Sequence, residues 1–136
     1  MKQKFELINP AGLDSADQLA WLSLQVWNGL KYHDGITIGL SFDRPKVGYS
    51  VSIYPEHGRT YKGLPSQTDV INFIESHREL LSRPIHYIGG WRADGISYLD
   101  ISVIYDNKDA AIELAARFDQ QAIYNLETGE TIYINQ

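Results

Sequence analysis

From residue 85 to residue 105 the chain alternates on both sides of Ala93-Asp94-Gly95. Asp-Gly between two alternating runs is a strong hairpin signal, because a tight turn needs left-handed backbone that Asp tolerates and Gly adopts freely. Ile85 to Arg92 and Ile96 to Tyr105 are therefore read as paired antiparallel strands. An isolated ribbon is marginal in water, so one face has to be covered. In the second run Leu99, Ile101 and Val103 form one face, and Tyr98, Asp100, Ser102 and Ile104 form the other. One of these faces should meet helices.

The remaining elements are arranged around that ribbon. Lys4 to Ile8 reads as a short strand and Asn9 to Gly12 as a turn. Asp14 or Ser15 caps a helix whose buried stripe is Leu19, Leu22, Val26 and Leu30, with Trp27 beside it. Gly35 is expected to end this helix in a left-handed cap. Ile36, Ile38 and Leu40 alternate as a strand, closed by Asp43-Arg44-Pro45. A second strand runs from Val47 to Tyr54, and Pro55 to Pro65 reads as a polar loop. Ser66 to Leu81 is read as one helix, capped by Ser66 or Thr68, with Val70, Ile71, Ile74, His77 and Leu81 on its stripe. After the central hairpin, Asp106 or Asn107 caps a helix from Asp109 to Phe118. Its expected buried stripe is Ile112, Leu114, Ala115 and Phe118. Gln121 to Leu126 and Glu130 to Ile134 form a last hairpin around Thr128-Gly129.

The order β-α-β-β-α-β-β-α-β-β implies an α+β protein. Its antiparallel or mixed sheet is built from hairpins, with about three helices packed on one face. The 136 residues are one domain's worth of chain, read as a single domain over 1–136.

Composition narrows the function classes. Cysteine is absent, which excludes disulfides, thiol nucleophiles and thiolate metal sites. The net charge of −5 disfavours direct binding to a nucleic-acid backbone. No apolar run approaches the length of a membrane span, and no leader follows Lys2 and Lys4, so a cytoplasmic protein is expected. The charge is uneven. From Asp69 onward there are eleven acidic and five basic residues, so an anionic ligand is better received in the first half, around Arg44.

No nucleophile elbow, P-loop or dinucleotide fingerprint is present. His33, His57, His77 and His86 lack the spacing of a helical zinc site, so no metal, cofactor or catalytic residue is assigned. Gly89-Gly90-Trp91 reads as a strand bend, a bulge or a point of close approach, with a phosphate cradle as the alternative. Tyr98, Asp100 and Ser102 put an aromatic, a carboxylate and a hydroxyl in one row. That set can stack a ring and bond a sugar, or it can be a solvated face. Arg44, fixed between Asp43 and Pro45, suits a phosphate or else a local salt bridge to Asp43. Arg92 and Arg117 are further cationic candidates, and Tyr49 is one of nine tyrosines placed mostly on strands or loops.

Ser41-Phe42-Asp43-Arg44-Pro45 and Gly48-Tyr49-Ser50-Val51-Ser52 form a pattern with later runs. These are Gly89-Gly90-Trp91, Tyr98-Leu99-Asp100-Ile101-Ser102, Asp106-Asn107 and Gln120-Gln121-Ala122-Ile123. The pattern resembles small phage and prophage proteins, and among them the Thoeris anti-defence sponges of the first described type. Such sponges hold a cyclic ADP-ribose immune signal without cleaving it. The resemblance implies an antiparallel sheet with two long helices and a homo-oligomer, dimer or hexamer, acting in the bacterial host's cytoplasm on a cyclic nucleotide. It places phosphate at Arg44, stacking at Tyr98 and a sugar or base edge at Asn107, with Asp100, Trp91, Arg92 and Tyr49 as further contacts. The amino-terminal helix with Trp21 and Trp27 is outside the motifs. The alternatives are an inhibitor of a defence nuclease that docks through the acidic second half, a small nucleotide-processing enzyme, and an accessory domain without a ligand.

Overall fold

The computed structural model of the protein describes residues 16–33 and 35–134. The strand expected over Lys4 to Ile8, the turn at Asn9 to Gly12 and the cap at Asp14 or Ser15 lie outside the described residues. The elements are α1 (Ala16–Tyr32), β1 (Gly35–Ile38), β2 (Tyr49–Ser52), a 3-10 turn (Pro55–His57) and β3 (Arg59–Lys62). They continue with α2 (Gln67–Ser76), α3 (Arg78–Leu81), β4 (His86–Ala93), β5 (Ile96–Tyr105), α4 (Lys108–Arg117), β6 (Ala122–Asn125) and β7 (Thr131–Tyr133). The fold is α+β, and every strand pairing is antiparallel.

The central hairpin organises the sheet. Asp94 and Gly95 take φ values of 55° and 79°, the double left-handed turn that matches the twist of a two-residue hairpin. β4 and β5 then pair over eight residues, from His86↔Val103 to Ala93↔Ile96. The sheet order is β1-β4-β5-β2-β6-β7, with β3 on the same edge of β5 as β2. Ser52 pairs Ser102 and Arg59 pairs Leu99, so residues 53–58 oppose only Asp100 and Ile101. The expected polar loop from Pro55 to Pro65 is thus corrected. It holds the 3-10 turn and a strand, β3, whose RTYK sequence is too polar and too short to announce itself.

The helices pack on one face. Leu19, Leu22, Val26 and Leu30 of α1 meet Ile38, Ile88, Leu99 and Ile101, with Val70, Phe73 and Ile74 of α2 completing this core. A smaller core joins Val51, Val103 and Ile123 to Ala111 and Ala115 of α4. Small alanines let α4 lie close to the sheet, while Phe118, expected on its stripe, is 43% exposed beyond the helix end. Among the described residues only α1, with 17 residues, is long, so the two long helices implied by the resemblance are not both there.

The helix expected over Ser66 to Leu81 starts as read. The Ser66 hydroxyl accepts from Asp69 N–H, and the Asp69 carboxylate accepts from Ser66 N–H. It breaks at His77 because the imidazole Nδ1, 2.8 Å from the Phe73 carbonyl, occupies the acceptor that the His77 backbone N–H would use in an α-helix. That N–H turns to Ile74 instead. Gly35, expected to end α1, opens β1 opposite Trp91. Among the described residues no helix is long and apolar enough to cross a membrane.

Candidate functional site

Strand alternation places Leu99, Ile101 and Val103 under the helices, so the opposite set, Tyr98, Asp100, Ser102 and Ile104, faces away from them. Register extends that second set across the sheet. Thr37, Gly89 and Asp100 lie side by side on β1, β4 and β5. Gly35, Trp91 and Tyr98 form the row on one side of them, and Tyr87, Ser102 and Ser52 the row on the other. Beyond these, Ser50 of β2 pairs Tyr124 of β6.

A cleft of about 810 Å³ opens on this face, within the range that encloses a drug-sized ligand. Its floor is polar and low, made of Thr37, Gly89, Asp100, Ser102, Ser52 and Ser50. Trp91 rises on one side and Tyr124 on another, while the β1–β2 connection contributes Arg44, Pro45 and Lys46. His33 joins from the end of α1.

The glycine pair has a packing explanation. Gly89 and Gly90 stay in regular register with Asp100 and Leu99, so neither makes a bend or a bulge. A Cβ on Gly89 would run into the Asp100 carboxylate and come within 3.2 Å of Ser102 Oγ. On the helix side, a Cβ on Gly90 would lie 3.3 Å from both Leu30 and Leu99. One glycine makes room for a carboxylate and the other for α1.

Arg44 is positioned as the sequence suggested, with a different partner. Its guanidinium donates to Gln25 Oε1 at 2.6 Å. Asp43 makes no salt bridge with it; its carboxylate accepts from the Ser41 hydroxyl at 2.8 Å. Asp43 also lies beside Tyr87, whose phenol is pushed up first by burial and then by the neighbouring negative charge and hydrogen bond. Arg44 therefore keeps donors that no carboxylate among the described residues has neutralised.

Trp91 and Tyr98 are direct cross-strand partners, stacked with centroids 4.0 Å apart and planes 10° apart. Trp91 stays 45% exposed at the cleft. Asp100 keeps some solvent contact, yet burial pushes its carboxyl up to about 6, against the weaker opposing effect of the Ser102 hydroxyl at 3.3 Å.

Of the residues singled out from the sequence, Arg44, Asp100 and Trp91 line this cleft, and Tyr98 backs it through the stack. The other three lie elsewhere. Asn107 is the α4 cap, its Oδ1 accepting from Ala110 N–H at 2.9 Å. Arg92 lines a separate hollow of about 230 Å³ beside the Asp94-Gly95 turn. Tyr49 packs against the smaller core. Lys46 and Tyr124 were not singled out. Lys46 shares the Arg44 connection and Tyr124 alternates within the last hairpin, and those were the available signals.

Three histidines come together away from the cleft. Tyr54 Oη bonds His86 Nε2 at 2.8 Å, and His57 Nδ1 lies 3.3 Å from His77 Nε2. The Nδ1 atoms of His77 and His86 face the carbonyls of Phe73 and Pro84, which only accept, so both nitrogens donate. Among the described residues no group of three His, Cys, Asp or Glu is placed to hold a metal ion. Tyr54 packs against both cores, which makes this cluster a polar seam between them.

No protein-family model, no curated protein and no solved structure matches the chain.

Proposed function

We propose that the protein is a non-enzymatic binder of a cyclic ADP-ribose-type nucleotide, a phage-derived sponge that holds the bacterial immune signal without cleaving it. The observation that carries this reading is the cleft on the helix-free face. It brings the Arg44 and Lys46 cations and the Trp91–Tyr98 stack to one concave site of about 810 Å³. A nucleotide needs both: charged donors for phosphate and an aromatic surface for the base. Among the described residues Asp100 is the one carboxylate on the floor, and a carboxylate without an acid-base partner there supports holding in preference to hydrolysis. The motif resemblance supplies the ligand class and the host setting. The protein works in the bacterial cytoplasm as a homo-oligomer, a dimer or hexamer. The exposed Trp21 and Tyr32 on α1 support that assembly as apolar contact area.

The test is calorimetry and thermal shift against cyclic ADP-ribose isomers and cyclic oligonucleotides, with ligand recovered by heat and identified by mass spectrometry. Tight binding with the ligand returned intact supports a sponge. Altered ligand selects an enzyme. No binding across the panel, with capture of a defence nuclease, selects the protein inhibitor. Arg44→Ala should remove binding and leave the melting temperature within a few degrees, because among the described residues its hydrogen-bond partner is Gln25 alone.

A further inference from the structure

We infer that Asp100 orients and selects the nucleotide: it accepts an uncharged hydrogen-bond donor of the nucleoside part, a ribose hydroxyl or an exocyclic amine, while phosphate stays at Arg44 and Lys46. The inference rests on the nucleotide-binding reading above and adds the polarity of the ligand within the cleft.

The geometry sets the two ends. Asp100 sits on the third strand of the floor row Thr37–Gly89–Asp100, opposite the 53–58 excursion that leaves this part of β5 without a paired neighbour on that side. Arg44 and Lys46 come from the β1–β2 connection, a separate element. Gly89 holds space open beside the carboxylate, since a Cβ there would collide with it.

An ionised carboxylate only accepts, with about four lone-pair sites. The Ser102 hydroxyl takes one, at 3.3 Å, and Asp100 forms no ion pair among the described residues. The remaining acceptor capacity faces the cleft. A phosphate over Asp100 would set two anions against each other in a site of reduced dielectric, whereas an O–H or N–H donor satisfies the carboxylate. The late ionisation of this group, near 6, adds a signature. A donor that binds the ionised form favours it, so binding tightens as pH rises through that range. Among the described residues, the other titratable or charged groups at the cleft are His33, Arg44, Lys46 and Tyr124, with Asp43 and Tyr87 adjoining it. His33 is present in wild type and in both variants, so comparing them isolates the contribution of Asp100.

The experiment measures Kd by calorimetry between pH 5 and pH 8 for wild type, Asp100→Asn and Asp100→Ser. The probes are ADP-ribose, cyclic ADP-ribose, and their deoxyribose and hypoxanthine counterparts. The expected result is a loss of about 10- to 100-fold in both variants at pH 7.5. The same loss should appear in wild type for the one counterpart that lacks the recognised donor, which separates ribose from amine. The variants should not discriminate between that counterpart and its parent, and should lose the rise in affinity from pH 5 to 7. Variants that bind every probe as wild type does, with the same pH profile, overturn the role of Asp100 and leave the binding reading standing. Wild type that binds none of the probes overturns both.

Discussion

Replacing Asp100 by Asn should stabilise the fold near neutral pH and do nearly nothing at acid pH. The carboxyl is raised from an ordinary 3.8 to about 6, chiefly because burial disfavours its charged form. Its folded pKa thus exceeds the unfolded one, and the folded chain binds the proton more tightly. The stability contributed by the protonated form is fully present below about 3.8 and is lost as pH rises through about 6. A shift of about two units corresponds to roughly 3 kcal/mol. That is an upper bound, because Asp100 keeps some solvent contact. Asn keeps an acceptor for the Ser102 hydroxyl and carries no charge to desolvate. The variant should therefore exceed wild type by up to about 3 kcal/mol at pH 7.5, on the order of 10 °C in Tm for a chain of this size. Urea denaturation at pH 4, 5, 6 and 7.5 measures it, the difference between the two proteins cancelling the titration of the other carboxylates. The difference should grow between pH 4 and pH 6 and then level off. A difference that is constant with pH would refute the reasoning, since only a pKa gap between folded and unfolded Asp100 produces that slope. A carboxylate that weakens its own fold at working pH is the pattern of a residue retained for binding.

Other substitutions probe the supports of the cleft. Gly89→Ala should drive a methyl into the Asp100 carboxylate and lower stability by about 1–3 kcal/mol, seen in the urea midpoint with unchanged slope. Trp91→Ala should remove a stack worth about 0.5–1.5 kcal/mol and expose the Tyr98 ring, read by a double-mutant cycle with Tyr98→Ala. Ser66→Ala should cost about 1 kcal/mol by opening the reciprocal cap of α2. Leu22→Ala should cost about 2–5 kcal/mol, because Leu22 is fully enclosed between α1 and the sheet.

The architecture was legible wherever local chemistry was strong. Asp94-Gly95 specifies its own turn, and the apolar parity of Leu99, Ile101 and Val103 specifies which side of β5 the helices cover. β3 was hidden because its partner, the first half of β5, lies more than thirty residues downstream, and residues 59–62 carry no alternation of their own. The break at His77 was hidden for a related reason. The stripe of α2 runs on through Leu81, and the competing hydrogen bond from an imidazole to the Phe73 carbonyl leaves no trace in apolar periodicity.

The site divides along the same line. Arg44, Trp91, Tyr98 and Asp100 could be picked from the chain because strand parity and a fixed turn say which side chains face away from the core. Asn107 was read two ways, as a helix cap and as a sugar contact, because both ask for the same side chain, and the cap is the role the structure shows. The hydrogen bond to Ala110 N–H uses the Asn107 oxygen locally, as Asn preceding a helix usually does. Tyr49 and Arg92 were misplaced by one residue of parity. Tyr49 pairs Tyr105 on the helix side of β2, and Arg92 alternates with Trp91 on β4. A strand assigns every neighbour to the opposite face, so a motif read as a block, such as Gly48-Tyr49-Ser50 or Trp91-Arg92, cannot deliver all its residues to one site. What makes the cleft is the set that register alone assembles: Thr37, Gly89 and Asp100 come from three strands, and together they leave a carboxylate at the bottom of a hollow with cations at its rim.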